Sequence, residues 1–269
     1  MDFAFYKELT STDAWEVHSR LQGNGKSLNF NSTAVEGDDG TSNASKFDLD
    51  NVSYQGKSNE GSGFIAWMWK RAEGFFDVVA YEGTGSLRTI AHGLGAAPEM
   101  MWIKDRGRTK GWAVYHAGLG NTKIANLNDT NAGSVQQNVW NYTSPTDSVF
   151  TVNTAGTVNT SGQNYIAFLF ATLAGVSKVG SVVHSGSSTD VDCGFSAGAR
   201  LVMLKRTDAS GDWYWWDSVR GIIAGNDPYV LLNTNAAEVT NTDLIDPLAS
   251  GFQISGNFTD GDYIFYAIA

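Results

Sequence analysis

One cysteine, Cys193, stands alone in 269 residues, so neither an intrachain disulfide nor a thiolate metal cluster can form within the chain. Proline is almost as scarce, with four residues, while glycine (30) and aromatic side chains are plentiful, which suits many short strands joined by tight turns. Basic residues number 18 against 28 acidic ones, and they form no patch, which argues against a phosphate-binding or nucleic-acid surface. The acidic groups are spread along the chain and read as solubility and self-repulsion. No apolar run approaches membrane-spanning length, and the N-terminal stretch lacks the basic-then-apolar pattern of a signal peptide. The expectation is a soluble chain without membrane insertion.

What is present is a repeat. Met100–Ile103 is an apolar run ending in Lys104, followed by seven residues rich in glycine and charge, then a second apolar run opening on Trp112. Two such runs around a glycine-containing connection read as a β-hairpin. Leu201–Lys205 leads in the same way to Trp213, and Phe3–Lys7 to Trp15. In all three the Trp lies eight residues after the Lys. Trp15 and Trp112 are 97 residues apart, as are Asn31 and Asn128, so these copies align without a gap. Trp112 to Trp213 is 101 while Asn128 to Asn233 is 105, which places a four-residue insertion near Ala224–Asp227.

The copies span residues 1–72, 73–173 and 174–269. The second opens on F-D-V-V-A-Y (Phe76–Tyr81) and closes on N-Y-I-A-F-L-F (Asn164–Phe170). The third opens on S-K-V-G-S-V-V (Ser177–Val183) and closes on D-Y-I-F-Y-A-I (Asp262–Ile268). Between them lie short alternating or β-branched runs: Ala125–Ala132, Ser148–Val152, Val230–Glu238 and Gly251–Ile254. The first copy offers Leu28–Glu36, Asn51–Tyr54 and Gly63–Trp69. No segment has convincing helical periodicity. The fold class is therefore all-β, as tandem β-sandwich-like repeats, each interior filled by its shared Trp. Residues two apart on a strand share a face, so Trp15 with Val17, Trp112 with Val114, and Trp213 with Trp215 form the buried face. Glu16 and His18, Ala113 and Tyr115, and Tyr214 and Trp216 occupy the other.

Copy one lacks the roughly 25 residues that precede the hairpin elsewhere, and so lacks its first strand. Three remedies are open: another chain covers the edge, the polypeptide continues upstream, or the copy does without.

Few residues suggest chemistry. His92 precedes Gly93 in a turn, but its third-copy counterpart is Cys193, so it reads as structural. Gly93 and Gly194 align, which suggests a shared positive φ. His18 and His116 fall one position apart in the repeat and cannot share an equivalent metal site. The pieces Gly23-Asn24-Gly25, Gly83-Thr84-Gly85 and Gly93-Leu94-Gly95 have no following helix to complete a dinucleotide cradle. Carboxylates that could serve glycoside hydrolysis are Asp190, Asp192, Asp208, Asp212, Asp217, Glu36 and Glu238, most of them in turns. Glu36–Asn43 could hold calcium through oxygen ligands, but lacks the spacing of a defined loop. No catalytic set, resident metal or cofactor is expected. Tyr214 and Trp216, with Tyr115 in the second copy, are either covered by a further layer or a subunit interface, or form an exposed aromatic face for sugar rings.

The stretch T-I-A-H-G-L-G-A-A-P-E-M-M-W-I-K (Thr89–Lys104), with G-W-A-V-Y-H after it, resembles bacteriophage tail-fibre and other virion structural proteins, many of which carry an I-x-H-x-L-G-x-x-P hairpin element. Its spacing to the later strands is similar to a module of phages of aquatic bacteria, cyanophages among them. The resemblance covers nearly the whole chain, fully in copies two and three. It departs from the motif at Cys193 and Ala199. It implies a non-enzymatic virion component, homo-oligomeric and often trimeric, that partners other virion proteins and meets a host-surface glycan or protein. Capsid decoration, or a head fibre, and polysaccharide depolymerisation are the alternatives.

Overall fold

The computed structural model describes residues 1–38, 47 and 63–269. In copy one the strands are β1 (Phe3–Glu8), β2 (Glu16–Ser19), β3 (Lys26–Ser27), β4 (Gly37–Asp38) and β5 (Phe64–Trp69). Copy two contributes β6 (Phe76–Glu82), β7 (Arg88–Ala91), β8 (Met100–Asp105), β9 (Ala113–His116), β10 (Lys123–Asn126), β11 (Ser134–Val135), a one-turn helix α1 (Gln137–Trp140), β12 (Val149–Val152) and β13 (Asn164–Phe170). Copy three has β14 (Ser177–His184), β15 (Thr189–Asp192), β16 (Leu201–Arg206), β17 (Trp213–Asp217), β18 (Tyr229–Leu231), β19 (Ile245–Leu248), β20 (Gly251–Ile254) and β21 (Gly261–Ile268). The protein is all-β, built from antiparallel sheets.

Each copy centres on one sheet whose middle strand opens the hairpin. The orders are β2-β1-β5, β11-β10-β9-β8-β13-β6 and β14-β21-β16-β17-β18. The registers superpose: Phe3 faces Trp69, Met100 faces Phe170, and Leu201 faces Ile268. The amide before each of these pairs donates to the closing strand, Asp2 to Trp69, Glu99 to Phe170 and Arg200 to Ile268, at 2.9, 2.9 and 2.7 Å.

The sheets do not follow one another as beads. Their inner faces meet in one apolar centre that contains Trp15, Trp112 and Trp213 together. Phe5 of copy one lies 5.3 Å from Trp215 of copy three, Phe30 of copy one 5.4 Å from Trp102 of copy two, and Trp102 6.5 Å from Trp215. The expectation that each Trp fills the interior of its own module is corrected here. β8 shows why: Met100, Met101, Trp102 and Ile103 are all buried, so the strand is apolar on both faces. One face needs the other two copies, and the other needs a local cover.

The indole N–H groups close the ring. Trp112 donates to Asn29 O of copy one at 2.9 Å, Trp213 to Asn126 O of copy two at 2.9 Å, and Trp15 to Leu231 O and Thr234 O of copy three at 3.1 and 3.0 Å. The penultimate residue of each first hairpin strand, a Lys, is buried and folds back on main-chain carbonyls. Lys7 donates to Glu8, Ser11 and Asp13, Lys104 to Asp105 and Arg108, and Lys205 to Gly211 and to Thr130 of copy two.

The outer faces are covered separately. The β7–β12 pair, with Trp140 of α1, lies over Met101, Ile103 and Tyr115. In copy three the β15-β20-β19 sheet lies over Val202, Leu204 and Trp216. In copy one Phe47 packs on Ala4 and Tyr6. The hairpins and the opening and closing strands lie where the sequence predicts them. Leu28–Glu36 differs, since Leu28 only bridges to Val17 and the strands lie at Lys26–Ser27 and Gly37–Asp38. Asn51–Tyr54 lies outside the described residues.

Trp112→Phe should therefore cost more than Trp102→Phe, although both shrink a fully buried ring. The first also removes the 2.9 Å indole donor of Asn29 O, leaving it a long bond from Ser32 N at 3.4 Å, whereas Trp102 Nε1 has no partner among the described residues. Chemical denaturation should separate the two variants by about 1–2 kcal/mol. Equal losses would mean that the inter-copy hydrogen bond contributes nothing.

Candidate functional site

A groove of about 600 Å³ opens where copy one meets copy three. β5 forms one wall, from Ile65 to Lys70, and Arg200, Asp217, Val219 and Ile268 stand on the other. Among the described residues β5 is the last strand of its sheet. Met68 and Val219 are exposed, at 39% and 82%. Beside the groove an ionic cluster ties the copies together. Arg220 donates to Asp217 at 2.7 Å and to Glu238 at 3.2 Å, and its guanidinium lies 5.4 Å from the Trp67 ring centre. Trp67 Nε1 donates to the same Asp217 carboxylate at 3.2 Å. An ion pair this buried costs desolvation, which the hydrogen bonds offset, so it fixes a geometry more than it adds stability.

The aromatic side chains singled out from the sequence are covered to different degrees, and Tyr214 keeps part of its surface. Trp216 is fully buried and Tyr115 is 4% exposed. Tyr214 stacks on Trp216 at 5.3 Å and 10°, and Phe258 and Tyr229 close around the pair. Tyr115 packs edge-on to Trp140 at 5.8 Å. A ring without accessible surface offers no face for a sugar, so the covering layer is the alternative the structure takes. The exposed aromatic among the described residues is Tyr142, which follows Asn141 in a turn where both have positive φ, 54° and 53°. A Tyr in this region costs backbone strain.

The histidines hydrogen-bond to backbone and side chains of the fold. His92 Nδ1 accepts from Leu94 N at 3.3 Å, and Nε2 pairs with Thr146 O at 3.2 Å. Gly194 has φ of 71°, but Gly93 does not share it; Gly95, two residues on, has 72°. The Gly93 N–H instead donates to Asp77 at 2.8 Å. Cys193 is buried, and burial pushes its thiol up to about 12, so it is no nucleophile at neutral pH. Each glycine pair leads into a strand or a turn.

The carboxylates are committed. Asp208 pairs with Arg206, whose hydrogen bond holds it down to about 2, and Glu36 takes both Nε and Nη2 of Arg106 at 2.8 Å. Asp190 accepts from Gln253, Asp192 from Gly194 N, and Asp212 from Asn233. No group of three or more His, Cys, Asp or Glu placed to hold a metal is found among the described residues. Of the turn Glu36–Asn43, the part beyond Asp38 lies outside the described residues; Asp38 pairs with Lys26 at 2.7 Å. Asp227 was not singled out from the sequence. It lies in the insertion, fully buried, accepting from Ile223 N at 2.9 Å and Ile245 N at 3.4 Å, and burial pushes it up to about 6. Its position in the four-residue insertion was the available signal, and its role is to tie that loop to β19.

The fold and groove define an all-β protein of three pseudo-equivalent sheets closed about one aromatic centre. The chain belongs to the family described as "Domain of unknown function (DUF7483)", whose model matches residues 1–269. Comparison with curated proteins and with solved structures finds no match.

His116 bridges copies two and three, and it makes the association sensitive to acid. Its Nδ1 accepts from Gly118 N at 3.0 Å, and its Nε2 donates to Phe265 O at 3.1 Å, which requires the neutral ring. Burial lowers its pKa to about 4. The unfolded chain takes up this proton below about 6.5 and the folded one only near 4, so stability present above pH 6.5 is lost as pH falls through that window. The loss should be on the order of 3 kcal/mol. Asp227 acts with the opposite sign over part of the same range, so the difference between the parent and His116→Gln isolates the imidazole. Denaturation curves at pH 7 and 4.5 should show a smaller pH effect in the variant; an unchanged pH effect would remove His116 as its source.

Proposed function

We propose that this chain is a non-enzymatic phage virion structural protein, a tail-fibre or receptor-binding module that attaches to the host surface. The resemblance of Thr89–Lys104 and of the strands that follow to virion proteins supports this. The observation that carries the reading is the closure of three copies about one buried centre. It makes one packed body that presents loops and one sheet edge, as suits a binding platform built on a fixed scaffold. Attachment would be multivalent, with weak sites on a homo-oligomer gaining avidity through effective concentration. Its stacking contact would be Tyr142, which is exposed, whereas Tyr115 and Trp216 are buried and Tyr214 is half-buried. The engagement of the candidate carboxylates by arginines, amides and main chain speaks against the depolymerase reading.

The test is an array of bacterial capsule and lipopolysaccharide oligosaccharides probed with the intact chain. Binding that falls about tenfold in Tyr142→Ala, with no release of reducing ends, supports attachment. Release of reducing ends would establish the depolymerase. Absence of glycan binding together with stoichiometric co-sedimentation with empty capsids would establish decoration.

A further inference from the structure

β5 is one of three pseudo-equivalent closing strands, and the other two are paired on both sides. β13 lies between β8 and β6, and β21 between β16 and β14. β6 runs antiparallel along β13 with Phe76 opposite Phe170, and β14 runs antiparallel along β21 with Ser177 opposite Ile268. In copy one, β1 pairs with β5 in the matching register, and no described strand takes the other side. The Leu9 N–H donates to Gly63 O at 2.9 Å, so Ile65, Trp67 and Trp69 direct their backbone groups to β1, and Ala66 and Met68 direct theirs into the groove. The amide after each closing strand repeats the pattern. Ala171 donates to Phe75 O and Ala269 to Val176 O, at 3.1 and 2.9 Å, and Lys70 is the counterpart at the groove.

We infer that the groove beside β5 receives one extended segment of another polypeptide, antiparallel to β5 and similar in chemistry to β6. The inference does not depend on host attachment. In copies two and three the equivalent place beside the closing strand holds a single strand, β6 or β14. In copy two β6 fills the equivalent space, and Phe76 stacks on Phe3 of the neighbouring copy at 5.7 Å. Two cations line the slot, Lys70 and Arg200, with no ion pair among the described residues. That charge favours a segment with an acidic residue near its start. β6 has this pattern, with Phe76 and Val78 turned to the aromatic centre and Asp77 between them. Main-chain hydrogen bonds along β5 would supply affinity, and the apolar positions opposite Trp69 and Trp67 would supply selection.

The probe is a blocked synthetic peptide of the β6 sequence, F-D-V-V-A-Y-E, titrated into the full chain, with a scrambled peptide and an Asp77→Lys peptide as controls. Saturable binding should appear as a change in tryptophan fluorescence and as hydrogen-exchange protection at Ala66 and Met68, weaker for the Lys peptide and absent for the scrambled one. Ala66→Pro removes an N–H that faces the groove, which an edge strand tolerates, so it should weaken binding at least about tenfold while Tm stays near that of the parent. Ala66→Thr retains the N–H and should bind. Three outcomes would overturn the inference: no saturable binding to the folded parent, equal binding by Ala66→Pro, or protection of the same amides by concentration-dependent dimerisation without peptide.

Discussion

Three indole N–H groups, each reaching from the second strand of one hairpin to a main-chain carbonyl of another copy, are the constraint on which the rest of the structure depends. Each bond contributes about 1 kcal/mol net, so they do not hold the protein together by strength. Their effect is directional. Asn29 O, Asn126 O and Leu231 O each also take a long local N–H at 3.4 Å, so losing the indole leaves them poorly satisfied and favours one seating of the neighbouring Trp. Copy two leans on copy one, copy three on copy two, and copy one on copy three. A cycle of head-to-tail contacts that closes after three steps leaves no surplus interface of that kind, which is the physical difference between a finite body and a fibre.

Closure changes what each sheet must do. An antiparallel sheet commonly buries one face and wets the other. Here the inner faces are consumed by the common centre, so the hydrophobic outer faces of β8, β13, β16 and β21 require their own cover, and the small sheets β7–β12 and β15-β20-β19 provide it. The buried lysines follow from the same crowding. Lys104 and Lys205, pulled down to about 8 by burial, lie next to last in strands that have no solvated side left, and their ammonium groups are satisfied by hairpin carbonyls. A Met at these positions would keep the volume and abandon the carbonyls.

Much of this was legible in the sequence and some of it could not be. Period-two alternation placed Trp112 with Val114 and Trp213 with Trp215 on one face, and both pairs are in the common centre. The same alternation put Tyr115 and Trp216 on the other face, but a period says which side a residue takes and not what lies there. The covering layer is built partly from residues with weak strand signals. β19 carries Pro247 in an edge position, and β7 is four residues with Arg88 at its head. Closure was invisible for a related reason: the acceptors of the indoles are main-chain carbonyls, which have no side-chain signature. The Gly93–Gly194 alignment failed because a glycine can serve a close approach as well as a positive φ. Asp77 takes the Gly93 N–H at 2.8 Å, leaving Gly95 to make the turn.

The three copies are equal in register and unequal in completeness, and the inequality falls where the ring is weakest. In copies two and three the strand beside the closing strand also seals the seam to the next copy, as Phe76 does against Phe3. Beside copy one the seam to copy three is bridged instead by Trp67, Asp217, Arg220 and Glu238. Across the seam a Trp67–Asp217 hydrogen bond and the Arg220 guanidinium over the Trp67 ring stand where the other copies have a ladder of main-chain bonds. Such a cluster orients two sheets but excludes less water than a strand, and Val219 at 82% exposure and Met68 at 39% mark the apolar area it leaves open. A seam held by polar side chains and flanked by an edge strand leaves backbone groups on the far side of β5 for the inferred segment to pair with. That combination separates a usable sheet edge from one that a protein must blunt against aggregation.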